Sequence, residues 1–304
     1  MVGRLRPYLP EFALLLASVL YGSTFVVVQD SLDHVTPSAF NVLRFGLAAV
    51  VLAPVALHRG WSGPDPRSTD SVRALLGVGV GLGLAGLVAY QTQNVGLHHT
   101  STSNSGFITG LFVVFTPLIA AVRYRRLPSR RVSMAVGVAL VGLFLLTGAE
   151  LDLSFGDAVT VVSAFAWAVW TVGTGEVTRR FGTTALIFVE VVTIGIGSAI
   201  LAIGEGFGEV TGVVIVGVLA TGIGCSAFAF GLSTWAQRII EPERASVINL
   251  FEPVVVGGVG YSVGERLGIA GYFGAALILA SILLIERGTH PGDRTVPPPG
   301  SASA

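Results

Sequence analysis

The chain has 304 residues, of which 52% are hydrophobic and only 12% charged, and its formal net charge at pH 7 is zero. A soluble domain normally has about a quarter of its residues charged, so this composition excludes an ordinary soluble protein. The single cysteine, Cys225, excludes an intramolecular disulfide and any metal site built from several cysteines.

Apolar runs of about 17 to 25 residues recur along nearly the whole chain, and each could cross a hydrocarbon core of roughly 30 Å as a helix. We therefore predict an all-α membrane protein with ten transmembrane helices. The predicted spans, in chain order, are 12–28, 38–57, 74–97, 102–122, 132–149, 157–175, 183–204, 210–236, 244–263 and 268–285.

The basic residues are distributed unevenly between the predicted loops. All 18 basic residues are arginines. If the N-terminus is cytoplasmic, every arginine except Arg44 and Arg266 falls in a cytoplasmic segment. Because cytoplasmic loops carry an excess of basic residues, this distribution predicts that both termini face the cytoplasm.

A weak internal repeat appears when the chain is compared with itself. At an offset of 140, residues 94–127 align without gaps on 234–267, and at an offset of 146, residues 21–30 align on 167–176. Each half then holds five spans, so the second half would enter the membrane from the opposite side. We expect two inverted-topology five-helix repeats, 1–149 and 150–286, followed by a disordered tail, 287–304.

Three strings carry a resemblance to a known family: YGSTFVVVQDSLDHVTPSAFNVLRFGLAAVVLAPV (21–55), FITGLFVVFTPLIAAVRYRRLPSR (107–130) and RASVINLFEPVVVGGVGYSVGERL (244–267). They resemble the drug/metabolite transporter superfamily, specifically EamA-type proteins. The resemblance implies a ten-helix carrier of the inner membrane, commonly an exporter of amino acids or other small metabolites and in some members driven by proton exchange. The second half keeps the GERL pattern with Glu265 and Arg266, whereas the first half has RYRRL.

Three ionisable residues fall deep within predicted spans: Arg44, Glu190 and Glu252. Such groups cost at least about 2.5 to 3.5 kcal/mol at the bilayer centre, so they usually face protein or a water-filled cavity. Glu252 precedes Pro253, which disrupts the helical ladder and leaves carbonyls in need of partners. Glu252 is therefore a candidate proton or cation site. The alternative is a structural carboxylate that pairs with an arginine or a neighbouring helix.

The other two ionisable residues also have two interpretations. Arg44 could attract an anionic carboxylate of a substrate, and Glu190 could face an ammonium group or exchange a proton. Alternatively, each residue anchors helix packing or extends to the membrane interface. A direct ion pair between the two requires an extended arginine side chain, because their predicted depths differ.

Neutral polar and aromatic residues complete the predicted site. Tyr90 and Asn94 share a helical face, as do Ser105 and Thr109, because residues four apart lie on the same side of a helix. Two tryptophans could form apolar walls, or they could instead contact lipid. The substrate-binding candidates are Tyr90, Gln91, Asn94, Ser105, Thr109, Trp167, Trp170 and Asn249. The family resemblance places a central cavity between helices one, three, four, six, eight and nine.

Glycine is abundant, with 40 residues in the chain. The segment GLGLAG at 81–86 matches a dinucleotide-binding pattern, but it lies within a membrane span with no preceding strand. We instead predict close helix approach at small-residue pairs. These pairs are Gly77 with Gly81, Gly106 with Gly110, and Gly260 with Gly264.

These observations together predict a secondary transporter, namely an exporter of small metabolites in the inner membrane. No nucleotide-binding loop is present in the sequence, so a proton gradient is the natural drive. The expected partners are a small-molecule substrate, protons and the lipid bilayer. We expect no nucleic-acid partner, cofactor or metal, and the sequence does not indicate an oligomeric state. A passive polar-lined channel is the alternative, and an intramembrane enzyme is disfavoured because no catalytic motif is recognisable.

Overall fold

The computed structural model describes residues 8–59, 69–100, 102–148, 154–262 and 268–286. Within these ranges the chain is helical, and the only β structure is one isolated bridge between Val35 and Gly208. The predictions for Glu265, Arg266 and the tail 287–304 concern residues outside the described ranges.

The α-helices run in chain order with short connections. They are α1 (Leu9–Ser23), α2 (Phe25–Leu32), α3 (Pro37–Arg59), α4 (Thr69–His99), α5 (Thr102–Gly110), α6 (Phe112–Tyr124), α7 (Arg130–Thr147), α8 (Phe155–Val177), α9 (Thr183–Glu205), α10 (Gly212–Leu219), α11 (Phe230–Ala236), α12 (Pro242–Asn249), α13 (Phe251–Ser262) and α14 (Ile269–Glu286). A π-helical segment, Ala220–Ala229, joins α10 to α11.

Local sequence signals explain several helix limits. Proline occurs in the first turn of α1 and of α12, where the missing N–H costs no helical hydrogen bond. Helix α8 begins with a capping box in which Ser154 and Asp157 bond each other's backbone N–H groups. Helix α7 ends at Gly148, whose φ of 59° is in the left-handed region that favours glycine.

Nine helical segments in the described residues are long and apolar enough to cross a membrane. They overlap nine of the ten predicted spans, so the chain is a multi-pass membrane protein. The nine segments are 9–32, 37–58, 72–99, 105–124, 130–147, 155–177, 183–205, 212–236 and 269–286. The remaining prediction, 244–263, falls on α12 and α13, which do not form one continuous helix.

The first, fourth and ninth predicted spans are each interrupted. The interruptions lie at Thr24, Leu111 and Leu250. At the last of these, Pro253 has no N–H to donate to the carbonyl of Asn249, four residues earlier. The Leu250 N–H bonds the Val247 carbonyl at 3.2 Å, which is the tighter pairing of a 3₁₀ turn. At the other two breaks the N–H groups of Thr24 and Leu111 likewise bond the carbonyl three residues earlier, at 3.2 and 3.1 Å.

Two large apolar clusters form most of the core of the bundle, beside a smaller one around Phe40 and Leu97. One contains Leu14, Leu143, Ile248 and Ile278 and joins α1, α7, α12 and α14. The other contains Phe45, Leu186, Ile194 and Phe230 and joins α3, α9 and α11. Tyr90 and Trp170 belong to the second cluster, so both aromatic residues are fixed by packing.

The closest helix contacts do not occur at most of the predicted glycine pairs. A Cβ placed on Gly77, Gly81 or Gly106 would meet nothing within 4 Å, so the prediction was wrong at these positions. Gly110 does pack tightly, against Leu143, whereas the surroundings of Gly260 and Gly264 lie outside the description. The glycines that do bring two backbones together are far apart in sequence. A Cβ on Gly142 of α7 would lie 2.8 Å from the Gly274 carbonyl of α14.

We expect Gly22→Ala to destabilise the protein, because Gly22 brings α1 against α13. A Cβ there would lie 2.8 Å from the Val255 Cβ and 2.9 Å from the Glu252 carbonyl oxygen, and neither atom is at the end of a flexible side chain. Overpacking of this kind costs about 1 to 3 kcal/mol. The measurement is the thermal unfolding midpoint in detergent, and Gly81→Ala is the matched control because its Cβ would meet open space. Equal midpoints for the two variants would contradict the prediction.

Candidate functional site

Ion pairs gather at one end of the bundle. Arg244 of α12 contacts Glu11 of α1 at 3.4 Å and Glu286 of α14 at 2.7 Å. The other pairs join Arg123 to Glu176 and Arg126 to Glu241. These residues lie at the start of α1 and α12 and at the end of α6, α8 and α14, and we call this end of the molecule the basic end.

The opposite end is joined by loop contacts instead. The connection after α2 meets the connection after α9, where the Thr36 hydroxyl donates to the Gly206 carbonyl at 2.8 Å. The connection after α4 meets the start of α8, where the Thr100 hydroxyl donates to Asp157 Oδ1 at 2.6 Å.

A cavity lies within the bundle, and we call it the central cavity. It contains about 900 Å³ of space not occupied by protein atoms, part of it open to solvent. The lining residues come from seven regions of the chain and are Tyr21, Thr24, Phe25, Val28, Arg44, Tyr90, Gln93, Asn94, Leu97, Thr109, Phe112, Trp167, Trp170, Thr171, Ser233, Asn249 and Glu252.

A second chamber adjoins the central cavity, and the two share Thr109, Asn249 and Glu252 in their walls. The second chamber reaches Leu146 and Thr147, in the last turn of α7. Helix α7 begins near the basic end, so its last turn lies towards the opposite end. The second chamber therefore extends from the middle of the bundle away from the ion pairs.

Eight of the eleven predicted site residues lie on the wall of the central cavity: Arg44, Tyr90, Asn94, Thr109, Trp167, Trp170, Asn249 and Glu252. The structure places the other three elsewhere. Gln91, Ser105 and Glu190 line neither the central cavity nor the second chamber.

Arg44 is 5% exposed, and its guanidinium faces the central cavity. Its Nε donates to the Ser226 hydroxyl at 2.7 Å. The guanidinium carbon lies 4.6 Å from the centre of the Tyr90 ring and 5.2 Å from that of Phe45, which is within cation–π range. Among the described residues, no carboxylate lies within 4.0 Å of this guanidinium.

Glu252 is the one acidic residue on the cavity wall. It lies in the first turn of α13, directly after the break at Leu250, and it contacts both chambers. No described arginine forms an ion pair with it. The central cavity thus holds one basic and one acidic side chain that are not paired with each other.

Glu190 is fully buried behind the cavity wall. Its Oε2 accepts a hydrogen bond of 2.7 Å from the indole N–H of Trp170. The expectation that Glu190 faces an ammonium group therefore does not fit its position, because Trp170 lies between the carboxylate and the cavity. The described residues contain no ion pair between Glu190 and Arg44, and the Arg44 Nε instead bonds Ser226.

Gln91 points away from the cavity because successive helical residues are rotated by about 100°. It follows Tyr90, and its side chain faces α3 and α9. The Gln91 amide donates to the Ser38 hydroxyl at 2.7 Å and to Glu205 Oε1 at 3.1 Å. Its oxygen accepts from Asn41 at 3.2 Å. Gln91 thus holds three helices together near the opposite end.

Ser105 is fully buried one turn before Thr109, and only Thr109 reaches the cavity. The predicted list also missed nine residues of the cavity wall: Tyr21, Thr24, Phe25, Val28, Gln93, Leu97, Phe112, Thr171 and Ser233. The internal repeat contains a signal for one of them, since the offset of 146 aligns Tyr21 with Trp167. The two aromatic residues both line the cavity.

We expect Glu190→Leu to lower the stability of the protein and Glu190→Gln to have a smaller effect. The leucine side chain would leave the buried Trp170 N–H without an acceptor, and an unsatisfied buried group costs about 1 to 3 kcal/mol. A glutamine oxygen can still accept this hydrogen bond. The thermal unfolding midpoints of the two variants test this order. A midpoint for Glu190→Gln as low as that of Glu190→Leu would contradict it.

An all-helical bundle with membrane-length helices around a cavity lined by aromatic and polar side chains is an architecture that membrane transporters use. The EamA-like transporter family matches this chain twice, at residues 9–148 and 154–287. The chain belongs to this family, which consists of transporters and not enzymes.

Individual relatives of this chain are also named as transporters. An uncharacterized transporter of Archaeoglobus fulgidus is 30% identical over 278 residues, which are 91% of this chain and 85% of the relative. The uncharacterized inner membrane transporter YedA of Escherichia coli is 24% identical over 94% of both chains. One solved crystal structure matches with a TM-score of 0.72 at 20% identity, covering 90% of this chain and 95% of the other. That similarity concerns the fold alone.

Proposed function

We propose that this protein is a secondary transporter that moves small metabolites by alternating access around the central cavity. The proposal rests on the position of the cavity relative to the ion pairs. The second chamber continues the central cavity towards the opposite end of the bundle, whereas buried and exposed ion pairs join the helices at the basic end. This arrangement suits a carrier that is open to one side at a time.

The proposed architecture has ten crossings in two inverted repeats, residues 1–149 and 150–286. In this proposal, α12 and α13 together form the tenth crossing, in addition to the nine membrane-length segments. The double family match at 9–148 and 154–287 supports two equivalent halves. Interrupted helices in both halves also support it, at Leu111 and at Leu250. Inverted repeats of this kind place the substrate site at their interface.

We further propose that the basic end faces the cytoplasm of an inner membrane, with both termini on that side. The support is the excess of arginine at this end, because positive residues are retained on the cytoplasmic side. The structure then corresponds to a state whose cavity extends away from the cytoplasm. In an exporter, this is the state that releases solute.

Glu252 is the proposed proton-coupling residue. It is a titratable group on the wall of both chambers, with no arginine paired to it in the described residues. A carboxylate in this position can exchange protons with water in the cavity during each cycle. Glu190 has no comparable access to the cavity, so we assign the coupling to Glu252 alone. The proposed substrates are amino acids or related amphipathic solutes.

The test uses purified protein in proteoliposomes. The assay measures counterflow and pH-gradient-driven uptake of a panel of amino acids, small organic cations and small organic anions. We expect saturable counterflow of one solute class, with accumulation that follows the pH gradient. Flux that does not saturate and ignores the gradient would identify a passive polar-lined channel instead. Absence of flux for the whole panel would contradict the proposed transport of small metabolites.

A further inference from the structure

We propose that Arg44 binds the carboxylate of the transported solute, which makes the substrate an organic carboxylate with an apolar body. This inference rests on the proposed function, because it concerns the ligand of the same cavity. The Arg44 guanidinium gives the cavity a positive charge, and the solute supplies the negative group that pairs with it.

The geometry of Arg44 leaves its terminal nitrogens available to a ligand. Only Nε is engaged by a described residue, through the 2.7 Å bond to Ser226. Tyr90 and Phe45 pack beside the guanidinium, so its position is fixed. A guanidinium presents five donors in a fork whose geometry matches a carboxylate.

The energetics also favour an anion at this position. A charged side chain within the bilayer is costly unless it has a counterion or water. The described residues supply no carboxylate within 4.0 Å of Arg44. A bound carboxylate would compensate the charge and form two parallel hydrogen bonds.

One unpaired hydroxyl group lies beside Arg44, and a second lies elsewhere on the wall of the same cavity. Tyr90 and Ser233 both line the central cavity and are 4% and 3% exposed. Neither hydroxyl has a hydrogen-bond partner in the described part of the chain. The Tyr90 ring packs on Arg44, so its hydroxyl belongs to the same region of the wall. Buried polar groups are normally satisfied, and an oxyanion bound at Arg44 would accept from the Tyr90 hydroxyl.

The rest of the wall is suited to an apolar body. Trp167 packs edge-on against Tyr90 with ring centres 4.7 Å apart, and Trp170 stacks on Phe230 at 4.8 Å. These rings are held by one another, so they form a preformed surface. Glu252 lies on the same cavity wall and would repel a carboxylate, which leaves Arg44 as the place for the anionic group.

Ser226, which holds Arg44, lies in the π-helical segment Ala220–Ala229. π-Helical turns are rare and occur frequently at functional sites. A wider turn changes the direction in which the following side chains point. The same segment contacts α3 closely at Gly222, where a Cβ would lie 3.0 Å from the Arg44 carbonyl oxygen. The segment therefore fixes both the backbone and the side chain of Arg44.

The experiment compares binding of matched probes to the purified full-length protein by titration calorimetry. One set shares a phenyl ring: 3-phenylpropionate, phenethylamine and phenylalanine. A second set shares an alkyl chain: hexanoate and hexylamine. We expect the carboxylates to bind and the two amines to bind at least about tenfold more weakly, since a hydrogen bond to a charged group contributes roughly 1.5 to 3 kcal/mol. Stronger binding of the amines, or no binding of any of the three carboxylates, would overturn the proposal.

Variants test the role of Arg44 itself. We expect Arg44→Gln to weaken carboxylate binding at least about tenfold and to remove the preference over amines. The control is Arg238→Gln. Arg238 is exposed, so this substitution should leave carboxylate binding and the preference over amines unchanged.

If Arg44→Gln does not fold, Tyr90→Phe replaces it, because this variant removes only the hydroxyl. It should weaken carboxylate binding several-fold and leave the amines unaffected. Unchanged carboxylate affinity in the folded variant would overturn the assignment.

The binding experiment is independent of the proposed transport. Carboxylate binding that depends on Arg44, without flux in proteoliposomes, would contradict the proposed function and leave the ligand assignment standing. Saturable transport of amines but not of carboxylates would support the proposed function and overturn the assignment.

Discussion

Replacing Glu252 with glutamine is expected to abolish the response of transport to a pH gradient while solute exchange continues. Glutamine has nearly the same shape and still accepts a hydrogen bond, but it cannot release a proton. Glu252 lies on the wall of both chambers and has no ion-pair partner among the described residues. The substitution therefore removes the titratable group without removing a structural ion pair.

Two measurements in proteoliposomes test this expectation. Uptake driven by a pH gradient should fall at least about tenfold, to the level seen without a gradient, whereas counterflow should change less than about twofold. Glu241→Gln is the matched control, because this carboxylate pairs with Arg126 at the basic end and its side chain is 30% exposed. Gradient-driven uptake that survives in Glu252→Gln would contradict the coupling role. A variant that fails to fold would instead support the structural interpretation of Glu252.

Replacing Arg244 with glutamine is expected to destabilise the protein more than any exposed ion-pair substitution. The Arg244 side chain is 6% exposed and contacts Glu286 through both carboxylate oxygens, at 2.7 and 2.8 Å. Glutamine would leave the partly buried carboxylate of Glu286 without this positive partner. Breaking a buried pair by removing one member costs about 3 to 5 kcal/mol.

The matched control is Arg126→Gln, whose side chain is 47% exposed and whose partner Glu241 lies at the surface. Exposed pairs contribute about 0 to 1 kcal/mol, so this variant should unfold at nearly the wild-type temperature. Thermal unfolding of both variants in detergent, at low and high salt, measures the difference. The prediction fails if the two variants have the same midpoint.

The membrane fold could be predicted from hydropathy because the bilayer imposes one simple requirement. A helix must be apolar for about 20 residues to satisfy its backbone hydrogen bonds inside lipid. Nine predicted spans therefore overlap membrane-length helices. The breaks at Thr24 and Leu111 and the π-helical segment were not predicted, since no proline or charge marks them. Only the break beside Pro253 had a local signal.

The candidate site was partly predictable for a related reason. Polar residues in membrane spans tend to face protein or water, so most of the predicted residues lie on the cavity wall. The sequence could not show which neighbour a given helical face contacts. Gln91 and Tyr90 are adjacent in sequence, yet Gln91 bonds α3 and α9 while Tyr90 lines the cavity. The tight glycine contact of Gly142 with Gly274 joins distant residues and has no local pattern.

The position of Cys225 has a practical consequence for measuring motion. Its thiol is buried beside the break in the first span, with Sγ 3.3 Å from the Thr24 hydroxyl and 3.5 Å from the Leu20 carbonyl oxygen. The sequence contains only this one cysteine. A maleimide can reach the thiol only when the π-helical segment separates from α1. Alkylation of Cys225 therefore measures this separation. The alkylation rate of unmodified protein reports how often that interface opens, with no engineered label.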